Sequence, residues 1–299
     1  MKRLDDILEA PFAVFCYDAG AANLIIEWLK DCNLEMKVCM EGPAKEIWKR
    51  NFPNKNLYSF DTVMDGVTAL LSGTGWGSYE VNARNKAKNI NIKNIAVIDH
   101  WVNYKERFVR DGQEELPDMI IVSDKYAYKK AKLLFSKVQI TQLPNNYLNA
   151  QVSLSHNLRK KNCRTPIENI LIIGEPLKEK INGQDQNTEF IAISYLMNNL
   201  DKINLSKERI KVTLRTHPSE KKNKYDSVKK KYINQFAEFS ISNTNNLYED
   251  IASADLVVGM NSFALVIALS SDVPTICILP PEANNCVLPQ KEIMHLKKM

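Results

Sequence analysis

The chain has 299 residues, 44% of them hydrophobic and 25% charged, with a net charge of +5. That length accommodates two domains of ordinary size, and no run of about 18 apolar residues marks a membrane span. The mild, dispersed charge argues against nucleic acid as a partner, and the first residues lead into no apolar stretch of the kind a signal peptide needs.

The six cysteines, Cys16, Cys32, Cys39, Cys163, Cys277 and Cys286, form no CxxC pair and do not cluster with histidine. They read as reduced residues of a cytoplasmic protein, with neither a disulfide frame nor a metal site. Lys221, Lys222, Lys224 and Lys229 to Lys231 read first as a solvated helix face. A weaker alternative is contact with the anionic inner face of a membrane.

In chain order, residues 12–17 form an apolar run that predicts a buried strand. A helix is expected over 21–29, where Leu24, Ile25 and Trp28 share a stripe. Further strands are expected at 37–40, 67–71, 95–98 and 119–122, with helices at 80–89 and 126–135 among them. Polar residues over 148–168 read as a linker. The alternation resumes with a strand at 170–173, a helix at 188–199, and a strand at 210–215. A helix at 225–236, a strand at 239–241 and a short helix at 246–251 follow. The pattern ends with a strand at 256–258, a helix at 263–270 and a strand at 275–279. The tail over 282–299 is expected to form a closing helix returning to the first domain, or to carry Lys297 and Lys298 to a membrane surface. Apolar strands alternating with helices imply parallel sheets covered on both faces. The expected architecture is α/β: two Rossmann-like domains, 1–155 and 156–299, facing across a cleft with ligands at the strand ends.

Candidate chemistry gathers at those ends. Arg215-Thr216-His217-Pro218 closes a strand, and Pro218 holds His217 out of helical conformation. Arg215 can pair with a phosphate and His217 can donate to one. About 45 residues on, Gly259-Met260-Asn261-Ser262 carries a strand into a helix. Gly259 permits close backbone approach, while Asn261 and Ser262 suit both capping and anion binding. Gly174 and Glu175 end the first strand of the second half and join the expected substrate contacts.

In the first half, Asp18 follows the first strand without a GxGxxG fingerprint. It is a candidate general base or a helix cap. Thr74 lies in the glycine-rich turn Ser72-Gly73-Thr74-Gly75-Trp76-Gly77-Ser78, where Trp76 offers an apolar platform. Asp99 and His100 form a neighbouring acid–base or hydrogen-bonded pair, followed by Tyr104 and Arg107. His100 and Arg107 are expected to touch substrate.

These motifs resemble glycosyltransferases of the GT-B fold. The Arg-Thr-His-Pro turn followed by the serine-bearing turn is similar to bacterial sialyltransferases that use CMP-sugars. The resemblance implies that His217 and Ser262 contact the CMP phosphate and that an acidic group in the first domain is the base. Asp18 is the first candidate and Asp99 its rival, because the family's paired acids before a glycine are here a single Asp18 with an inserted Ala19. Many UDP- or GDP-sugar enzymes of this fold carry a ribose-binding glutamate where Ile267 stands, which favours CMP. The implied activity is metal-independent, inverting transfer of a sialic-acid-like nonulosonate to a glycan acceptor in bacterial surface polysaccharide or lipooligosaccharide synthesis, with no cofactor beyond the nucleotide-sugar donor. The alternatives are a UDP-sugar transferase, a 2-epimerase or hydrolase of the same fold, and a non-catalytic nucleotide-binding protein.

Overall fold

The structure, a computed structural model, describes every residue except 1, 111, 160–166, 182, 183, 204, 206, 222 and 245. The readings made for Cys163, for Lys222 and for the linker over 160–166 therefore lie outside the described residues. Contacts divide the chain into two compact units, Met1–Tyr147 and Leu148–Met299.

The first unit runs β1 (Phe12–Cys16), α1 (Ala19–Lys30), β2 (Met36–Met40), α2 (Gly42–Asn51), β3 (Ala69–Ser72), α3 (Ser78–Asn89), β4 (Lys93–Val97), β5 (Val109–Arg110), β6 (Gln113–Glu114), β7 (Met119–Val122), α4 (Lys125–Leu134) and β8 (Gln139–Gln142). Six strands pair in parallel in the order β2-β1-β3-β4-β7-β8, and β5 with β6 makes a small antiparallel ribbon.

Every residue of β1 is buried, because helices cover both faces. Phe12, Val14 and Cys16 enter one core with Ile25, Trp28 and Trp48, while Ala13 and Phe15 enter the other with Val63, Ala83 and Ala87. This is the two-residue alternation of a strand applied to a sheet with no wet face. Burying a side chain the size of Phe12 or Phe15 stabilises by roughly 1.5–3 kcal/mol.

The second unit begins within α5 (Asn146–Leu158) and continues β9 (Asn169–Ile173), β10 (Lys178–Ile181), β11 (Gln184–Asn187), α6 (Thr188–Asn198), β12 (Lys211–Arg215), α7 (Asp226–Tyr232), β13 (Glu238–Ile241), α8 (Leu247–Ser253), β14 (Leu256–Gly259), α9 (Phe263–Ser270), β15 (Thr275–Cys277) and β16 (Met294–His295). Its parallel sheet has the order β13-β12-β9-β14-β15-β16, and β10 with β11 forms an antiparallel hairpin.

Three expectations need correction. Residues 148–158, placed in a linker, lie in α5, whose polar surface hid its helical period; by contacts the chain divides at 147/148, within this helix, where 155/156 was expected. The tail forms no closing helix: after a turn-rich stretch it adds β16 beside β15 and ends in a short 3-10 turn, Leu296–Lys298. The lysine cluster is not uniformly solvated. Lys221, Lys230 and Lys231 are exposed, but Lys224 lies 2.6 Å from Glu189 Oε1 and also pairs with Glu220. Among the described residues no helix is long and apolar enough to cross a membrane. The described cysteines are free thiols.

Candidate active site

In an open parallel sheet, ligands bind where consecutive connections leave a strand in opposite directions. In the first unit that point lies between β1 and β3, since β2 lies on one side of β1 and β3 and β4 on the other. The segments after β1, β3 and β4 carry Asp18, Gly73 to Gly75 and Asp99, so the topology itself assembles the expected acids.

Asp18 stands at the N-cap of α1 but makes no side-chain capping bond. Its carboxylate instead accepts from the Trp76 backbone N–H. Burial, and then the charge of Asp99, push its pKa up. Asp99 is held differently: Arg107 Nη1 donates to its Oδ1 at 2.8 Å. The same nitrogen donates to Thr74 Oγ1 at 2.9 Å, and the Thr74 hydroxyl in turn donates to Val97 O. Arg107 and Thr74 were expected at substrate. Both are buried, and these bonds make them the frame that orients Asp99.

Glycines let the acids come together. A Cβ on Gly20 would collide with Asp99 Oδ2, and one on Gly75 would sit 2.5 Å from Asp18 Oδ2 and 3.0 Å from Glu80 Oε2. Glu80, in the first turn of α3, is fully buried and accepts from Tyr17 N at 2.8 Å. It was missed in the sequence because it falls inside a helix with a hydrophilic pattern. Only its position directly after the glycine-rich turn marked it. Trp76 is 57% exposed beside Asp18. His100 is half-buried, its ring centroid 5.1 Å from that of Trp101.

In the second unit the switch point lies between β9 and β14, because β12 continues on the other side of β9. Gly174 and Glu175 follow β9, and Gly259 to Ser262 follow β14. A Cβ on Gly174 would press on Arg215 O and the Tyr225 hydroxyl, both 2.9 Å away, and one on Gly259 would meet Leu265 and Ile173. Both glycines thus serve close packing of the turns. Ser262 caps α9, its Oγ accepting from Ala264 N at 3.2 Å. That leaves its hydroxyl proton available to a ligand. Asn261 N donates to Glu175 Oε2 at 2.8 Å, and Asn261 Oδ1 accepts from Val287 N at 3.0 Å. Burial raises the Glu175 pKa, with Glu179, Glu189 and Glu220 adding to it.

Arg215 is tied to acceptors of its own unit. Its Nη1 lies 2.6 Å from Asp250 Oδ2 and 3.0 Å from Thr244 Oγ1, and Asp250 is itself buried. His217 Nδ1 accepts from Ser219 N at 3.2 Å. The proton of the neutral ring is therefore on Nε2. Burial lowers the His217 pKa, which favours this neutral donor form. Among the described residues, no three His, Cys, Asp or Glu side chains are placed to hold a metal ion.

No protein-family model and no curated protein matches the chain. Solved structures do. The chain is similar to UDP-GlcNAc 2-epimerase from Methanocaldococcus jannaschii, in complex with UDP-GlcNAc and UDP, with a TM-score of 0.59 and 11% identity over 89% of this chain and 83% of that one. It is similar to the S. aureus MnaA–UDP structure with a TM-score of 0.62 and 10% identity, over 89% of this chain and 78% of that one. The glycosyltransferase of kitacinnamycin matches with a TM-score of 0.51 and 12% identity, over 92% and 81%. At these identities the likeness is one of fold: two parallel-sheet α/β domains of the GT-B kind.

Proposed function

We propose that the chain is a nucleotide-sugar enzyme, and specifically a metal-independent, inverting glycosyltransferase using a CMP-nonulosonate donor and no further cofactor. The observation that carries the proposal is the acid centre at the switch point of the first unit. Asp18 carries a raised pKa and, among the described residues, no ion-pair partner, beside an Asp99 that is paired with Arg107. A carboxylate of that kind is suited to accept a proton at neutral pH. Asp18 is therefore the base and Asp99 its neighbour.

In the proposed reaction Asp18 takes the proton of the acceptor hydroxyl. The acceptor oxygen bonds to the anomeric carbon as the bond from that carbon to the phosphate oxygen breaks, and CMP leaves with the electron pair. His217 Nε2–H and the Ser262 hydroxyl donate to the phosphate as its charge grows. Buried Ile267, 1% exposed, stands where the resemblance to UDP-sugar enzymes of this fold would place a ribose-binding glutamate, which favours CMP.

A second reading is a nucleotide-sugar 2-epimerase. It is favoured by the fold likeness to such enzymes and by Glu80, a third acid beside Asp18 and Asp99. Melting the protein with CMP, UDP, GDP and their sugars separates nucleotides, since a ligand of the folded state raises the melting temperature. Stabilisation by CMP, lost in His217→Ala, supports the transferase. A response to UDP alone, with the sugar altered when no acceptor is present, supports the epimerase. No response to any nucleotide refutes both.

A further inference from the structure

Glu80 is a buried acid that the proposed transfer does not use. It is 0% exposed, and no ion pair reaches it among the described residues. Oε1 is committed to Tyr17 N, the amide just before Asp18. Among the described residues Oε2 is buried without a hydrogen-bond partner, and it shares with Asp18 Oδ2 the space above Gly75. Arg84, one turn further along α3, gives its Nη1 to Gly73 O at 3.0 Å instead.

An ionised carboxylate buried with one bare oxygen beside a second carboxylate is costly, whereas a carboxylic acid supplies the missing donor from that same oxygen. We propose that Glu80 is the positioning residue of this centre, an acid that keeps its proton and presents it from Oε2 toward Asp18. One oxygen then fixes the backbone that carries the base, and the other steadies the base's charge. Asp18 opposes its ionisation, and the crowded Cys16 thiol is neutral, its pKa raised by burial first and then by Glu80, Asp99 and Asp18. Tyr79 is neutral as well, its pKa raised by burial. The backbone N–H groups of Tyr17 and of Glu80 itself, and the charge of Arg84, pull the other way, but burial is the larger cause and the Glu80 pKa is raised.

The proton on Glu80 does not depend on what the protein catalyses; its role in turnover rests on the function proposed above. Glu80→Gln keeps an acceptor for Tyr17 N and a donor toward Asp18. A group whose folded pKa lies above its unfolded value stabilises fully below the unfolded pKa and less as pH rises through the folded one. Melted from pH 5 to pH 8, Glu80→Gln should therefore gain on the unmodified chain, by on the order of 2–4 °C. A deficit that grows with pH, or a difference that does not change with pH, overturns the proposal. If Glu80→Gln does not fold, a carboxyl 13C titration of labelled glutamates in a Glu175→Gln chain decides instead. One signal titrating above all others is expected, and its absence overturns the proposal. In turnover, the alkaline fall of the rate should move or vanish in Glu80→Gln, and an unmoved limb overturns the positioning role. If the unmodified chain turns over no nucleotide-sugar, the function proposed above fails while the melting series still reads the proton.

Discussion

Asn261 N–H donates to Glu175 Oε2 at 2.8 Å, so the turn with the sequence marks of an anion site already holds an acid of the same chain. A phosphate arriving there must take the amide from Glu175 and share its neighbourhood with a carboxyl. The contest is decided by the Glu175 proton, which burial favours.

Nucleotide binding should accordingly weaken as pH rises through the raised Glu175 pKa, because the ionised side chain both holds the amide and repels phosphate. Glu175→Gln should bind CMP about tenfold more tightly at pH 8 and lose this pH dependence. Calorimetric titrations at pH 5.5 and pH 8 measure both effects. Equal affinities for the two chains at pH 8 would sink the idea.

Asp18→Asn should lower turnover by roughly 10²–10⁴-fold, the usual worth of a positioned base. It should also raise the melting temperature at pH 8. Asp18 has a folded pKa above its unfolded value, so its contribution is present at low pH and lost as pH rises. Asparagine has no charge to hold against Asp99. Parallel melts at pH 4 and pH 8 should coincide at the lower pH and separate at the higher.

Arg107→Ala should cost about 3–5 kcal/mol of the first unit's stability, since it strips a largely buried Asp99 of its cation and Thr74 of its donor. Denaturant unfolding measures the loss. Asp99→Asn in the same chain should recover part of it, because the amide carries no charge to leave unpaired.

Ser262→Ala should destabilise by about 0.5–2 kcal/mol through the lost cap of α9. Ser262→Gly should cost less in stability yet lose as much CMP affinity, because neither variant has the hydroxyl. Affinity that followed stability across the two variants would show that the hydroxyl never meets the ligand.

Much of the fold was legible because its strands are short apolar runs that alternate with helices. Residues 12–16, 95–97 and 170–173 are buried on both faces and announce themselves. The misses share a physical cause. In α2 the stripe is only Ala44, Ile47 and Trp48, and β8 is an edge strand with two buried residues between exposed glutamines. The β10–β11 hairpin is mostly polar, and α5 buries only Ser155 among its residues. At the site, Asp18, Asp99, Glu175 and Ser262 all lie just past strand ends, on the segments that follow β1, β4, β9 and β14. Partners separated by long stretches of chain were invisible: Arg107 reaches Thr74 across 33 residues, and Asp250 meets Arg215 across 35. Spacing along the chain does not encode where a long side chain folds back.

The Asn261 turn is fastened by Glu175, 86 residues earlier, and by Val287, 26 residues later. A chain made from its N-terminus releases Glu175 and the turn itself before the segment that bears Val287. Until that segment docks, Asn261 Oδ1 lacks its donor and the turn is only half tethered. The finished turn is thus a late product of folding, and a ligand that needs both tethers in place cannot serve as the template on which the sheet first assembles.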